Sequence, residues 1–304
     1  MDNGQFTYPI IKGMRHKKML KPGTALVLEG GGTRGFYSAG VFEAFLDEGI
    51  MFPYIVGVSA GAANALTYIS GQRGRSRQIV EHFVSDTKYV SRRNLLRYGS
   101  LFGYDFIFKT IPNRHIFWDK EVYDNTDIRY VTGVTDCNTG EAVWFEKNEM
   151  TEGFIETIAS CSVPLVARIV RHKGMELLDG GISAPIPIEK SIADGNNFHV
   201  VVLTRNAGFR QRPFKRKGVL KLFYKKYPKF VETMLARHEI YNRQLELCEK
   251  LELEGKAIII RPQTALVVDR STSDTEKLLE LYDQGHVEGA WAVEKLRGLG
   301  FLGE

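Results

Sequence analysis

Two glycine-rich segments, one βα unit apart, carry the residue types that acyl transfer requires. Residues 30–35 read GGGTRG and residues 57–61 read GVSAG, and each follows a short apolar run and precedes a helix-like stretch. Backbone N–H groups of the first segment can hold a developing oxyanion. Ser59 stands where a sharp strand-to-helix turn would expose a nucleophile. Together the two segments predict a serine hydrolase site.

Backbone amides of the first segment are expected to form the oxyanion hole beside Ser59. Losing one such donor typically costs about a hundred- to a thousand-fold in rate. Ser59 would also lie at a helix N-terminus, where the helix dipole favours an oxyanion. The oxyanion hole is assigned to Gly30, Gly31 and Gly32. Supporting roles in the two turns are assigned to Arg34, Gly35, Gly57 and Gly61.

Both segments also admit other interpretations. Residues 30–35 match the dinucleotide fingerprint G-x-G-x-x-G, but that site needs an acidic residue about 20 positions on. No Asp or Glu occurs from Gly49 to Val80, which disfavours a nucleotide site. Ser59 would have a purely structural role if it only capped the following helix. Arg34 either fixes the loop and adds positive charge, or is an ordinary surface arginine.

A nucleophilic serine needs a base, and three residues are candidates. His199 lies in the apolar stretch FHVVV, and His286 has no other polar catalytic candidate beside it. Asp179 follows an apolar stretch and precedes Gly180 and Gly181, which allow close approach of the backbone. Asp179 is therefore the better candidate, although an Asx-turn or helix-cap role is an alternative.

Apolar runs predict the elements that position these residues. Two strands, at 25–29 and 54–58, each lead into a glycine segment and are followed by helices at 36–46 and 60–70. This order is the opening of an α/β sheet with parallel strands. Residues 73–118 indicate only short helices that cap the sheet. Further strands are predicted at 127–135, 142–146, 166–170, 175–178, 199–203 and 257–260. Further helices are predicted at 149–160, 185–193, 228–254 and 274–297.

Composition indicates one soluble globular domain. The 304 residues are 43% hydrophobic and 25% charged, which is ordinary for such proteins. Three scattered cysteines without a C-x-x-C pair fit a reducing compartment, and the first twenty residues lack a signal-peptide apolar region. No apolar run approaches the roughly 18 residues of a membrane span. We therefore expect a cytoplasmic protein with a core at about 22–205 and a basic helical extension at about 206–304 packed on it.

One segment accounts for the positive net charge of +5. Between Asp194 and Glu232 there are ten basic residues and no acidic one, interleaved with aromatic residues. Such a segment suits an anionic membrane surface. A solvated helix face and a nucleic-acid site are the alternatives, and we expect no nucleic acid. The expected membrane contacts are Arg212, Lys215, Arg216, Lys217, Phe223, Lys225 and Lys226.

No metal or other cofactor is predicted. His238 and Glu239 begin like the zinc motif H-E-x-x-H, but position 242 is Asn242, so the second histidine ligand is missing.

Three motifs taken together resemble the patatin-like phospholipases. That family has a G-G-G-x-[RK]-G loop, a G-x-S-x-G nucleophile turn and a D-G-[GA] motif, in the order found here at residues 30–35, 57–61 and 179–181. Residues 159–164 (ASCSVP) are similar to the A-S-x-[AS]-x-P stretch that precedes the aspartate. The resemblance runs from about residue 25 to residue 188, and no C2-like domain or ankyrin repeats accompany it.

The resemblance implies a fold, an activity and a substrate class. The fold would be a three-layer α/β/α sandwich around a mostly parallel sheet. Ser59 would be the nucleophile and Asp179 the base of a dyad that needs no histidine, and the substrate would be a lipid carboxylic ester, of the kind cleaved by phospholipase A or lysophospholipase. The alternative is a non-catalytic, membrane-surface lipid-binding protein that keeps the fold.

Overall fold

Within the residues that the computed structural model describes, 6–15, 17–265 and 267–302, the chain forms a central eight-stranded sheet with helices on both faces. The strands are β1 (Lys18–Met19), β2 (Thr24–Leu28), β3 (Ile50–Met51), β4 (Tyr54–Val58), β5 (Arg129–Asp136), β6 (Ala142–Glu146), β7 (Val170–His172), β8 (Met175–Asp179), β9 (Phe198–Val202) and β10 (Ala257–Ile260). The α-helices are α1 (Phe36–Asp47), α2 (Ala60–Ile69), α3 (Arg75–Phe83), α4 (Arg92–Tyr98), α5 (Lys120–Asp124), α6 (Ile155–Ser160), α7 (Ile188–Ala193), α8 (Lys217–Phe223), α9 (Pro228–Leu253) and α10 (Thr275–Gly298).

The sheet is parallel over most of its width. Its order is β10-β9-β2-β4-β5-β8-β7, and the first five of these strands run parallel. β8 is antiparallel to β5, β7 is antiparallel to β8, and β6 pairs with the remaining edge of β5. β2, β4 and β9 are buried along their whole length and are mostly apolar, with Thr24 and His199 as polar members, as strands covered on both faces require.

Alternate residues of the central strands point into two separate cores. On one face Leu26, Leu28 and Ile55 pack with the buried sides of α1, α2, α3 and α10. On the other face Val27 and Val56 pack with α7 and α9. The period of two along each strand thus produces three layers. The predicted three-layer α/β/α fold with a mostly parallel sheet is confirmed.

Some predicted elements have other bounds in the structure. In place of the helix predicted at 149–160, a 3-10 turn at Lys147–Glu149 is followed only by α6, because Gly153 and Phe154 adopt the left-handed conformation (φ +89° and +57°) between them. In place of the strand predicted at 166–170, the strand begins at Val170. The stretch 73–118 contains α3, α4 and a π-helix at Phe106–His115.

The C-terminal helix α10 packs directly on α1 through glycines. A Cβ on Gly40 would overlap the carbonyl oxygen of Tyr282, and a Cβ on Gly285 would overlap that of Tyr37. Because glycine has no side chain, the two helix backbones come into direct contact. The hydroxyl of Tyr282 also donates to Glu43 Oε2 at 2.9 Å. The helix that follows residues 30–35 is therefore buttressed by the last helix of the chain.

Candidate active site

Ser59 lies on a strained turn between β4 and α2. Its backbone has φ 54° and ψ −130°, which is unusual for a residue other than glycine and is expected of a nucleophile elbow. The turn is tight because neither flanking glycine has a side chain: a Cβ on Gly57 would lie 2.9 Å from the amide of Ala62, and one on Gly61 would lie 2.7 Å from the carbonyl oxygen of Glu29. The turn places the serine hydroxyl at the carboxyl end of the parallel strands, where α/β folds bind ligands.

The Ser59 hydroxyl donates a hydrogen bond to Asp179 Oδ2 at 2.8 Å, and both residues are 6% exposed. Sheet topology explains how residues 120 positions apart meet. On one edge of β5, β4 ends where Val58 pairs with Gly133, and β8, running in the opposite direction, ends where Asp179 pairs with Val134. The carboxyl ends of β4 and β8 therefore face each other along the same edge.

Asp179 is held by its own turn and by its neighbours. Its Oδ1 accepts a hydrogen bond from the amide of Gly181 at 2.7 Å, and its carbonyl oxygen accepts one from Thr135 Oγ1 at 2.9 Å. Burial raises the pKa of the Asp179 carboxyl, and the hydrogen bonds from Ser59 and Gly181 offset part of this rise. A carboxylate with a raised pKa is a stronger proton acceptor than an ordinary aspartate.

Gly180 allows the two strand ends to approach. A Cβ on this residue would overlap the carbonyl oxygen of Gly133 and would lie 3.0 Å from Val58 Cγ1. Both glycines of the 179–181 motif thus contribute: Gly180 by its small size, and Gly181 through its amide.

Ser160 connects the nucleophile turn to β5. The Ser59 amide donates to Ser160 Oγ at 2.8 Å, and Ser160 Oγ donates to the carbonyl oxygen of Gly133 at 2.6 Å. Ser160 is fully buried at the end of α6. Ser160 belongs to the stretch 159–164, but a serine in a helical turn shows no chemical pattern by itself, so its individual role is not evident from the sequence.

Residues 30–32 form a loop against Ser59 with free backbone donors. A Cβ on Gly30 would lie only 2.7 Å from the Cβ of Ser59. Gly32 has φ +59° and lines the same cavity as Ser59. Among the described residues, no group accepts a hydrogen bond from the amides of Gly30, Gly31 or Gly32. Amides without a protein acceptor beside a nucleophile are what an oxyanion hole requires.

The residues after this loop anchor it to α2 and carry a buried charge. The carbonyl oxygen of Gly35 accepts a hydrogen bond from Asn64 Nδ2 at 2.7 Å, and a Cβ on Gly35 would lie 2.7 Å from that of Ala60. Arg34 is only 2% exposed, so it is not a surface arginine. Burial, together with the nearby Arg205 and Arg270, lowers the Arg34 pKa to about 9.

The histidines considered as bases bond to other residues. His199 Nδ1 lies 3.0 Å from Ser191 Oγ, and burial lowers the His199 pKa to about 4. His286 Nε2 lies 2.7 Å from Asp47 Oδ2. In the part of the chain that the structure describes, no cluster of three His, Cys, Asp or Glu residues has the geometry of a metal site.

An apolar cavity opens at Ser59. Its lining includes Ala63 on α2 and Ile107 and Phe108 of the π-helix, with Asn64 and Tyr104 as polar members. A second cavity shares six lining residues with the first and extends toward Trp118 and Phe154. The shared residues are Phe36, Ala63, Asn64, Tyr89, Ile107 and Phe108. Together the two cavities form a mostly apolar space leading away from Ser59, with Thr67, Arg75 and Ser76 as further polar lining of the second.

The expected membrane contacts are divided between two places. Lys217 and Phe223 lie on α8, Lys225 and Lys226 follow it, and Lys215 and Arg216 precede it. On this helix Leu222 and Phe223 are 71% and 68% exposed, whereas Leu220 is buried. Arg212 lies apart from α8, beside Arg34 and Arg205. Among the described residues, no helix has the length and apolar character needed to cross a membrane.

A paired serine and aspartate at the carboxyl ends of strands in an α/β/α sandwich define a class of acyl hydrolases. A family model for patatin-like phospholipases matches residues 26–192. Because this match covers more than half of the chain, the chain belongs to the patatin-like phospholipase family. A second model, for a domain of unknown function (DUF6363), matches residues 227–299.

Individual relatives match over the same region. An uncharacterized protein of Escherichia coli K12, YjjU, is 27% identical over 186 residues, covering 59% of this chain and 51% of the relative. An uncharacterized NTE family protein of Mycobacterium tuberculosis is 26% identical, with 59% and 48% covered. Lysophospholipase NTE1 of Mycosarcoma maydis is 28% identical over 181 residues, which cover 56% of this chain and 9% of that protein. The matched region thus spans about half the length of the bacterial relatives. Among solved structures, VipD of Legionella pneumophila aligns with a TM-score of 0.49 and 13% identity over 95% of this chain and 71% of that one.

Proposed function

We propose that the chain is a serine acyl hydrolase that cleaves carboxylic ester bonds of lipids through a Ser59–Asp179 dyad. The observation that carries the proposal is the 2.8 Å hydrogen bond from Ser59 Oγ to Asp179 Oδ2 at the mouth of an apolar cavity. Membership of the patatin-like phospholipase family supports a lipid ester as the substrate.

The first half-reaction transfers the acyl group to the enzyme. Ser59 Oγ attacks the ester carbonyl carbon while Asp179 takes the hydroxyl proton, and the carbonyl electron pair moves onto oxygen. Amides of Gly30–Gly32 stabilise that oxyanion. When the tetrahedral intermediate collapses, the bond to the alcohol oxygen breaks and Asp179 returns its proton to the leaving alcohol.

The second half-reaction releases the acid. A water molecule attacks the acyl-serine carbonyl carbon and gives its proton to Asp179. Collapse of the second intermediate breaks the Ser59 Oγ–carbon bond, Ser59 regains the proton, and a carboxylic acid leaves.

The apolar cavities beside Ser59 fit the acyl chain of such a substrate. Aromatic and aliphatic side chains line both of them, and burial of each methylene contributes about 0.8 kcal/mol. The exposed apolar residues of α8, flanked by lysines, suit peripheral contact with an anionic membrane, where the substrate would be found.

Labelling with a fluorophosphonate probe and product analysis by mass spectrometry on a mixed lipid extract test this function. Wild type should be labelled and should release fatty acid, and Ser59→Ala should do neither. Ser85→Ala, which removes an exposed serine hydroxyl, is the matched control and should behave as wild type. Labelling that survives Ser59→Ala would contradict the nucleophile. Lipid binding without ester cleavage by wild type would favour the non-catalytic alternative.

A further inference from the structure

A cleft lined by arginines adjoins the loop that follows the oxyanion glycines. Five arginines and one aspartate contribute to its walls, with Phe209 as the one aromatic residue among the described lining. The charged members are Arg34, Arg205, Arg210, Arg212, Arg270 and Asp269. Most of them belong to segments 205–212 and 269–271, which lie outside the region matched by the patatin-like family model. The cleft is therefore a feature of this chain's C-terminal part.

The cleft adjoins the loop that lines the proposed active site. The amide of Thr33 donates to the carbonyl oxygen of Arg270 at 3.0 Å, and Thr33 Oγ1 donates to that of Asp269 at 3.3 Å. Gly32 and Thr33 line the apolar cavity at Ser59, whereas Arg34 lines the cleft. The loop 32–34 is thus a shared wall between an apolar space and a cationic one.

Four of the five arginines in this cleft have no direct ion pair within the described chain, although the buried Glu29 is close enough to act electrostatically on Arg34 and Arg205. Arg210 pairs with Glu249 at 2.8 Å, but among the described residues no carboxylate lies within 4.0 Å of the Arg34, Arg205, Arg212 or Arg270 guanidinium groups. Arg34 is 2% exposed and its buried Nε has no hydrogen-bond partner within the described chain. An unpartnered guanidinium in a group of like charges is costly, and a bound anion would relieve that cost.

The walls of the cleft are fixed rather than loose. Arg205 lies over the ring of Phe209, with 4.5 Å from its Cζ to the ring centroid. The amide of Gln211 donates to Asn242 Oδ1 on α9 at 2.8 Å, and Asn242 Nδ2 returns a hydrogen bond to the Gln211 carbonyl at 3.2 Å. These contacts hold the Arg205 side chain and the backbone of residue 211 in place before a ligand arrives, which lowers the ordering cost of binding.

The lining of the cleft disfavours a cationic headgroup. Asp269 is the one carboxylate among the described lining residues, and its Oδ1 already accepts hydrogen bonds from the amide of Ser271 at 2.7 Å and from two hydroxyls. Arg205 lies over one face of the Phe209 ring. A quaternary ammonium would therefore face five guanidinium groups against a single carboxylate.

We propose that this cleft binds the phosphate-bearing headgroup of the lipid substrate and selects glycerophospholipids with a net negative headgroup over zwitterionic ones. The inference rests on the proposed function, since it places the ester at Ser59, the acyl chain in the apolar cavity and the phosphate at the arginines. The glycerol backbone, which joins the ester to the phosphate, would pass over the loop 32–34 that lies between the two spaces.

Short-chain phospholipids, used as monomers below their critical micelle concentration, separate headgroup recognition from membrane binding. Phosphatidylglycerol and phosphatidylcholine with identical acyl chains are compared with p-nitrophenyl butyrate, which has no headgroup. Wild type should show a kcat/KM for phosphatidylglycerol at least about tenfold above that for phosphatidylcholine, the effect of one charge-assisted hydrogen bond. In the double variant Arg205→Gln/Arg212→Gln this ratio should fall to near one.

A charge-matched control and a soluble anion complete the design. Lys12→Gln/Lys21→Gln removes two exposed cations elsewhere and should keep the wild-type ratio. Glycerol phosphate, measured by calorimetry on Ser59→Ala, should bind only weakly.

The proposal is overturned if wild type and the cleft variant show the same ratio of kcat/KM between phosphatidylglycerol and phosphatidylcholine. It is also overturned by tight binding of glycerol phosphate without lipid selectivity, which would indicate a soluble phosphate ligand. Hydrolysis of the butyrate ester alone would refute the headgroup site but not the dyad, whereas failure on every ester would refute the proposed function.

Discussion

The amide of Ser59 donates a 2.8 Å hydrogen bond to the hydroxyl of Ser160, a residue 101 positions later in the chain. The hydroxyl of Ser160 in turn donates a hydrogen bond to the carbonyl oxygen of Gly133 on β5. A backbone at φ 54° is unfavourable for serine and persists only where its surroundings hold it. We therefore expect Ser160 to act as a positioning residue for the turn that carries Ser59.

Ser160→Ala should weaken catalysis without touching the reacting atoms. It leaves a buried amide and a buried carbonyl without partners, at about 1–3 kcal/mol each. We expect kcat for a soluble ester to fall roughly tenfold or more with KM little changed, and Tm to fall. Ser162→Ala, whose hydroxyl donates to the carbonyl of Ile158, is the comparison from the same segment and should keep kcat. A loss of Tm with unchanged kcat would show that the role is only structural.

The acidic limb of the pH–rate profile should report Asp179. Burial raises the pKa of its carboxyl, and only the ionised form can take the serine proton. Activity should therefore fall as pH drops through a pKa above the ordinary aspartate value of 3.8. Asp179→Asn should lower kcat by about a hundredfold or more. A profile that is flat through mildly acidic pH, or turnover kept in Asp179→Asn, would contradict the assignment of the base.

The Asp179 carboxyl should also have a measurable effect on the free energy of unfolding. Since its pKa is higher in the folded state than in the unfolded state, the stability it contributes is present at acidic pH and is lost as pH rises through the folded pKa. Asp179→Asn stays neutral, so its Tm at neutral pH should equal or exceed that of wild type, and the difference should shrink on acidification. Thermal unfolding at both pH values checks this, and a lower Tm at neutral pH only would contradict it.

Ala63 should control acyl-chain length. It lines both apolar cavities, so a larger side chain there would obstruct the passage between them. Ala63→Phe should lower kcat/KM for a decanoate ester at least about tenfold relative to a butyrate ester, because the lost methylene burial is worth about 0.8 kcal/mol per group. Ala63→Ser adds little volume and should keep the wild-type chain-length profile. An equal loss on both esters would instead indicate damage to the nucleophile turn.

The exposed apolar residues of α8 should promote vesicle binding. Leu222→Ser/Phe223→Ser should reduce co-sedimentation with anionic vesicles, whereas Leu253→Ser, which changes a leucine that is 90% exposed on α9, should not. Each nearby lysine is worth about 1 kcal/mol at an anionic surface, so binding by wild type should also weaken with salt. Equal binding by all three proteins would leave α8 as a solvated face.

Local patterns predicted much of the architecture. Continuous apolar runs identified β2, β4 and β9, and glycine spacing located the turns around Ser59 and Asp179, because close backbone approach there excludes side chains. The short α6 was not foreseen, since the left-handed backbone at Phe154 is set by tertiary packing.

Sequence patterns do not predict which distant segments of the chain come into contact. Arg34 allowed a surface interpretation, and only the packing around it shows that it is buried. Arg270 lies on a loop after β10 and belongs to no sequence motif. Its contact with Thr33 depends on how the folded chain brings distant segments together, which residue spacing does not show.

The head-on meeting of β4 and β8 on one edge of β5 has a consequence for biosynthesis. During translation the turn that carries Ser59 is synthesised long before Asp179, and Arg270 is synthesised later still. Chains fold from the N-terminus as they emerge, so a nascent polypeptide that ends before β8 carries a serine without its proton acceptor. Under the proposed function, ester hydrolysis would therefore begin only after β8 has been translated and has joined the sheet.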